Sequence, residues 1–476
     1  MNRVAIWLIA LACPLAAHVG SPDVFFEGSA GAYRLLVTIR PPQVVPGVAE
    51  IEIRNASGGA RQVRIVPLRM TGLAATLAPT PDLARPSKDD PNFYTGSLWL
   101  MITGAWKVRV DVDGTAGKGT VFVPVPALAT RVMGMQKALG AGLLCLCGLL
   151  AFGLVSIAGA AAREAQLAGG KEPGPGERKR ARIVMGLVGA IVATTLWYAN
   201  GWWGAEASSY LNLVYKPLRL DAVVVASPTD ARLLLTLANP GWLNRTTEDL
   251  VPDHGHLMHL YMIRMPAMDR VWHLHPERQE NGSFLQQLPA MPAGRYALYG
   301  DVVHASGLAE TATGEVQVAN LASAPLAGDD AGGVAPALGS AASVQEVPGG
   351  LRMVWDRGRE PLRARNPVSL RFRLEDATGH PASGMELYMG MQGHAAIIGA
   401  DGSVFAHIHP FGSVAMPAIE LAGNSNPHAG HRTGAGIPAE VSFPYGFPKA
   451  GQYRIVVQMK QAGEIVTGAF DASVEN

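Results

Sequence analysis

Two stretches of this chain carry no charged residue: 138–162, over 25 residues, and 183–205, over 23. As helices rising about 1.5 Å per residue, either can cross roughly 30 Å of hydrocarbon. The loop between them, 163–182, holds Arg163, Lys171, Arg178, Lys179, Arg180 and Arg182. Short loops this basic stay in the cytoplasm. Trp197, Tyr198, Trp202 and Trp203 gather at the far end of the second stretch, where amphipathic rings favour the membrane interface. The pattern predicts a transmembrane hairpin with both large flanking regions outside the cytoplasm.

The N-terminus leads to the same side. A basic start at Arg3, a short apolar run and small residues near Ala16 and Ala17 read as a signal peptide over 1–17. Composition narrows the function classes. Thirty-nine basic and 38 acidic residues leave a net charge of +1, so no overall field draws polyanions, and nucleic-acid binding is not expected. The three cysteines are Cys13 in the signal and Cys145 and Cys147 in the first span. The exported regions therefore contain no thiol, which excludes disulfide scaffolds and Cys-ligated zinc or iron–sulfur sites there.

The exported regions alternate in the β manner. In 19–128, Ala49, Ile51 and Ile53 share one face, as do Val108, Val110 and Val112, with turn signals between short runs. This predicts an immunoglobulin-like β-sandwich without a reactive cluster, a docking or structural module. Residues 206–476 hold twelve of the thirteen histidines and eleven of the seventeen methionines. An Ala/Gly/Pro-rich linker, 321–343, divides them into repeat 1 (206–320) and repeat 2 (344–476). HLYMIRMPAMDRVWHLHP from His259 aligns with HAAIIGADGSVFAHIHP from His394, and each repeat later shows Gly-x-Tyr at Tyr296 and Tyr453. The expected fold is mainly β: three Ig-like sandwiches flanking a helical hairpin.

The repeated motif is His273-Leu274-His275-Pro276, again His407-Ile408-His409-Pro410. Residues i and i+2 of a strand face one side, so both imidazoles can approach one ion. His259 or His394 opens the neighbouring strand and supplies a third ligand. Upstream, His254 aligns with Met389 and His256 with Met391. The candidate metal ligands are thus His254, His256, His259, His273 and His275, with Met389, Met391, His394, His407 and His409. Mixed imidazole and thioether in a thiol-free compartment favours copper, with zinc the lesser alternative. His256 and His259 are an odd number apart and share a face only if a turn intervenes. The competing reading is that the histidines pin the hairpin through backbone carbonyls. Met258, Met262, Met265 and Met268 read as core filler; His304, His380, His428 and His431 rank below the motif. No GxSxG, HExxH or phosphate loop occurs, so no catalysis is expected.

With these residues assembled, the stretch GSPDVFFEGSAGAYRLLVTIRPPQVVPGVAEIEIR resembles the exported β-sandwich regions of FixH-like and YtkA-like families. Gly393-His394 through His407-Ile408-His409-Pro410 resembles secreted domains of copper-handling proteins. The resemblance implies copper delivery to respiratory oxidases or metal tolerance, with a protein partner in that delivery or in respiratory complex assembly. FixH-like proteins have one span and one exported domain, whereas this chain has two spans and three. The expectation is a bacterial inner-membrane protein, in contact with membrane lipid, whose N- and C-terminal periplasmic domains bind copper for homeostasis or delivery. An envelope scaffold with structural histidines is the alternative, and a metal-dependent oxidase the third.

Overall fold

The computed structural model describes residues 23–132, 134–226, 231–321, 325–424 and 436–476. The signal segment 1–17, Cys13, His428 and His431 lie outside the described residues. The fold is mainly β, with three α-helices among the described residues, two of them long and apolar. The chain divides into two compact units, Met1–Leu128 with Lys216–Asn476, and Ala129–Tyr215.

The smaller unit contains helices Lys137–Glu164 and Pro175–Leu213. Both are long and apolar enough to cross a membrane. Pro175 stands in the first turn of the second helix, where its missing N–H costs nothing. That helix takes in the basic residues 178–182, and Arg180 donates from Nε to the Ala162 carbonyl at 2.7 Å. At Gly159 an added Cβ would lie 2.5 Å from the Met185 side chain, so glycine permits the close crossing. Leu144, Phe152, Ile157, Ile191, Trp197 and Trp202 are exposed. That apolar surface is what contact with lipid tails requires. Cys145 and Cys147 are free and exposed on the first helix.

In the larger unit, residues Val24–Ala127 form an eight-stranded curled sheet. Ala49, Ile51, Ile53, Val108, Val110 and Val112 are all buried, as their alternation predicts. A Cβ on Gly119 would lie 2.0 Å from the Ala30 carbonyl, so the strands at the two ends of the sheet, Val24–Ala30 and Gly117–Ala127, meet at this glycine.

Repeat 1 supplies nine strands of a ten-stranded sheet, and repeat 2 builds a four-stranded and a six-stranded sheet. In each, the late strand pairs with the strand opening on the leading histidine: Gly294–His304 with His259–Met265, and Gly451–Gln461 with His394–Gly399. The next neighbour, Arg270–Leu274 or Phe405–Ile408, carries the first histidine of the HxH motif, and the second follows directly on the strand end. Both repeats close the same corner: Tyr296 donates to the Pro292 carbonyl at 2.8 Å and Tyr453 to that of Lys449 at 2.7 Å. The stretch read as a linker supplies a strand, Ala331–Val334, at the edge of the first HxH strand.

Period-two alternation sorts these strands between two cores. Leu260, Met262, Trp272 and Leu274 enter the core of repeat 1. Ala395, Ile397, Ala406 and Ile408 enter that of repeat 2. The intervening residues Tyr261, Ile263 and Val271 meet Ala396, Ile398 and Phe405 in a third core between the repeats. Met258 and Met262 fill the core of repeat 1, and Met265 and Met268 line the inter-repeat core. Buried Arg454 ties the same interface. It pairs with Asp471 at 2.8 Å and donates to the carbonyls of Met268 and Pro336.

The insertion after His409 joins repeat 2 to the N-terminal sheet. Glu27 N–H donates to the Phe411 carbonyl and Ser413 N–H to that of Phe25, at 2.7 and 2.9 Å. Gly412, at φ +123°, is where an added Cβ would fall 1.9 Å from the Phe25 oxygen. Downstream of the helix Met416–Ala422, Asn424 brackets the Phe122 backbone.

Candidate metal centre

The same alternation decides where the histidines go. His259 shares the face of Tyr261, His273 that of Val271, and His394 and His407 those of Ala396 and Phe405. All therefore point into the layer between the repeats, not into solvent. His259, His273, His275, His394 and His409 are buried residues, and the His407 side chain is 5% exposed.

Two trios result: His259, His273 and His275, and His394, His407 and His409. Within each, one ligand atom per residue lies within 4.8 Å of the others. Imidazole–metal bonds of about 2 Å make such spacing suitable for a common ion. The odd spacing of His256 and His259 is resolved by a two-residue turn, in which Asp253 and His256 exchange backbone hydrogen bonds. His254 and Gly255 take φ of 49° and 90° there; Met389 and Gly390 repeat the turn at 48° and 80°.

Hydrogen bonding determines which nitrogens are bare. His259 Nε2 donates to the Asp253 carbonyl at 3.0 Å, and His394 Nε2 to the Tyr388 carbonyl at 3.2 Å. A carbonyl only accepts, so neutral His259 and His394 keep Nδ1 as a lone pair. Each Nδ1 faces another imidazole nitrogen at 3.1 Å, Nε2 of His273 or of His407. His273 Nδ1 lies 2.9 Å from Gln458 Oε1, whose amide nitrogen donates to Thr467. With Gln458 so oriented, His273 carries its proton on Nδ1 and presents a second lone pair to His259. The carboxylate form of Asp301, 3.4 Å from His407 Nδ1, does the same for the other pair. Two lone pairs 3.1 Å apart repel, and a cation between them removes the repulsion. His275 Nδ1 donates to Asp330 at 3.1 Å, and its Nε2 is buried without a hydrogen-bond partner. Carboxylate or carbonyl on one ring nitrogen, with the other bare, is how proteins prepare histidine for metal.

Burial keeps these rings neutral. It lowers His259 to about 4, with smaller opposing effects from its hydrogen bond to Asp253 and from Asp329. Burial, then neighbouring histidines, holds His273, His275, His394 and His407 well below the ordinary imidazole value. Burial raises the Asp301 and Asp253 carboxyls to about 7 and that of Asp330 to about 6.

The remaining candidates divide. His254 belongs to repeat 1, yet its ring lies 5.2 Å from those of both His394 and His409, and with Asp253 and His409 it forms a third group of donors. The His256 ring lies 4.1 Å from that of His275, tilted against it, and contacts Asp329 at 3.2 Å, partly exposed. Met391 is fully buried, whereas Met389 is half-buried at its turn. His304 is taken up elsewhere, between Asp249 and Glu310 at 2.8 and 2.9 Å, and His380 lies in an exposed turn with Asp376. Sequence reasoning missed Asp301, Asp330, Gln458 and Tyr261. Asp301 and Gln458 stand five residues after the matching tyrosines Tyr296 and Tyr453, which is the signal that could have found them.

A family model described as "Domain of unknown function (DUF8832)" matches residues 219–320 and 345–476, and thus both repeats. No curated protein matches. Solved structures with similarity include dimeric latent PorU from Porphyromonas gingivalis, at 9% identity and TM-score 0.15, covering 95% of this chain and 34% of that one. Native alpha-2-macroglobulin from E. coli matches at 8% and 0.19, covering 96% and 23%. A putative membrane anchored protein from Corynebacterium diphtheriae matches at 10% and 0.17, covering 96% of each. The chain thus spans about a quarter to a third of the first two chains.

Proposed function

We propose that this chain is a bacterial inner-membrane protein whose periplasmic domains bind copper, for copper homeostasis or for delivery to a protein partner such as a respiratory complex. The observation that carries the reading is the histidine trio found in both repeats, with lone pairs facing one another and a buried, partnerless Nε2 on His275. Imidazole-only donors with neutral rings suit Cu(I), Cu(II) and zinc. The thiol-free exported regions and the His-to-Met exchange at 254/389 and 256/391 favour copper. Two apolar helices with basic residues gathered at the ends that adjoin their connection support the periplasmic placement. The matching corners at Tyr296 and Tyr453 support an Ig-like sandwich for each repeat, with the N-terminal sheet as a third such module.

The scaffold reading has its own support: His259 and His394 do bond backbone carbonyls. Metal analysis separates the two. The full chain, purified in detergent, is loaded with copper, desalted and analysed beside His273→Ala/His275→Ala and His407→Ala/His409→Ala. The copper reading expects each pair of substitutions to remove the copper held by its own trio. Copper content unchanged in both variants leaves the histidines structural.

A further inference from the structure

We infer that the two trios form one two-ion centre in which each half positions the ligands of the other, an inference that rests on the metal-binding reading. Rings of different trios are as close as rings within one. His259 and His273 lie 5.3 and 5.4 Å from His407, while spacings inside the trios run from 4.6 to 5.4 Å.

The supports are exchanged. Gln458, which holds His273 of the first trio, is the strand-register partner of His394 of the second. Asp301, which faces His407 of the second, is the register partner of His259 of the first. The turn carbonyl of Asp253 orients His259, while the adjacent His254 ring sits against the second trio. The Tyr388 carbonyl orients His394, while its hydroxyl lies 3.4 Å from His273 Nδ1. Tyr261 fills the space between, stacked 4.2 Å from His273 and edge-on to His407 at 5.3 Å. Asp253, Asp301 and Asp330 place three carboxyl groups beside the histidines of this desolvated layer.

Filling either trio therefore orders strands that present ligands to the other. Such coupling makes the second ion bind more tightly than it would alone. It also brings two copper ions near enough for their unpaired electrons to interact.

The test uses the full chain in detergent, titrated with Cu(II) and followed by elemental analysis and electron paramagnetic resonance. The expected result is two copper ions per chain, with a spectrum that broadens by dipolar coupling as the second equivalent is added. His273→Gln/His275→Gln and His407→Gln/His409→Gln should each keep one ion, show a narrow isolated spectrum and bind it about tenfold more weakly. The wild-type titration alone decides the matter if a variant fails to fold. Two ions with uncoupled spectra, or a single ion per chain, overturn the paired centre and leave the binding reading intact. No copper above background overturns the binding reading itself.

Discussion

The stability gained on metal loading tests the site without depending on the stability of the apo-protein. A ligand held only by the folded state adds RT ln(1 + [L]/Kd), about 2.7 kcal/mol at a free concentration of 100 Kd. The two repeats, 206–320 and 344–476, comprise roughly 250 residues, and for a length of this size 1 kcal/mol moves Tm by about 2 °C. Each filled trio should then raise Tm by about 5 °C, and both by about 10 °C. His273→Ala/His275→Ala leaves His259 as the sole donor of the first trio, so its increment should vanish. The variant also opens a buried cavity and takes from Gln458 Oε1 its imidazole donor, which lowers Tm in every condition. The quantity to read is therefore the difference between copper-loaded and chelator-treated samples of the same protein. Differential scanning calorimetry of the detergent-solubilised full chain measures it. A wild-type shift that survives whole in the double variant refutes the assignment of His273 and His275 as ligands, and a wild type with no shift refutes both trios.

Other consequences are open to equally direct measurement. Asp301→Asn removes the carboxylate beside His407 and should weaken copper at the second trio by roughly 10- to 100-fold, read by chelator competition; an unchanged affinity means Asp301 does not support that ligand. Tyr453→Phe deletes the bond to the Lys449 carbonyl and should cost about 1 kcal/mol, lowering Tm while leaving copper stoichiometry as it was. His304 carries the pH prediction. Burial opposes its charge, but hydrogen bonds to Glu310 and Asp249 outweigh burial and raise it above the ordinary value. A raised histidine stabilises the fold below its unfolded pKa and loses that contribution as pH rises through the folded one. The Tm deficit of His304→Gln should thus be larger at pH 6 than at pH 9; equal deficits would count against the charged form. Gly412→Val places a side chain against the Phe25 carbonyl and should loosen the N-terminal sheet from repeat 2, seen as new protease cleavage near residues 411–413.

Much of the site could be read from spacing alone. His-x-His on a strand puts two imidazoles on one face, and a leading histidine on the adjacent strand completes a trio; the three histidines of each repeat do come together, with His275 and His409 one residue past their strand ends. The turn that lets His256 and His259 coexist was visible as a condition, and Gly255, repeated as Gly390, meets it. The supporting residues were not legible. Asp301 and Gln458 reach their histidines across the inter-repeat layer, and Asp330 reaches His275 from a stretch whose composition looked like a tether. Nothing local to the HxHP motifs encodes such contacts.

The sequence by itself determined the apolar helices, the β alternation, the duplication and the faces on which the histidines stand. Those properties follow from helix rise and strand period, which act over a few residues. Only the tertiary structure decided what the histidine face meets. In an isolated sheet that face would be wetted and the imidazoles solvated. Here the two repeats bury Tyr261, Ile263, Ala396, Ile398 and Phe405 against one another. The apolar contact closes the layer, desolvates the rings and lets residues of one repeat orient the ligands of the other.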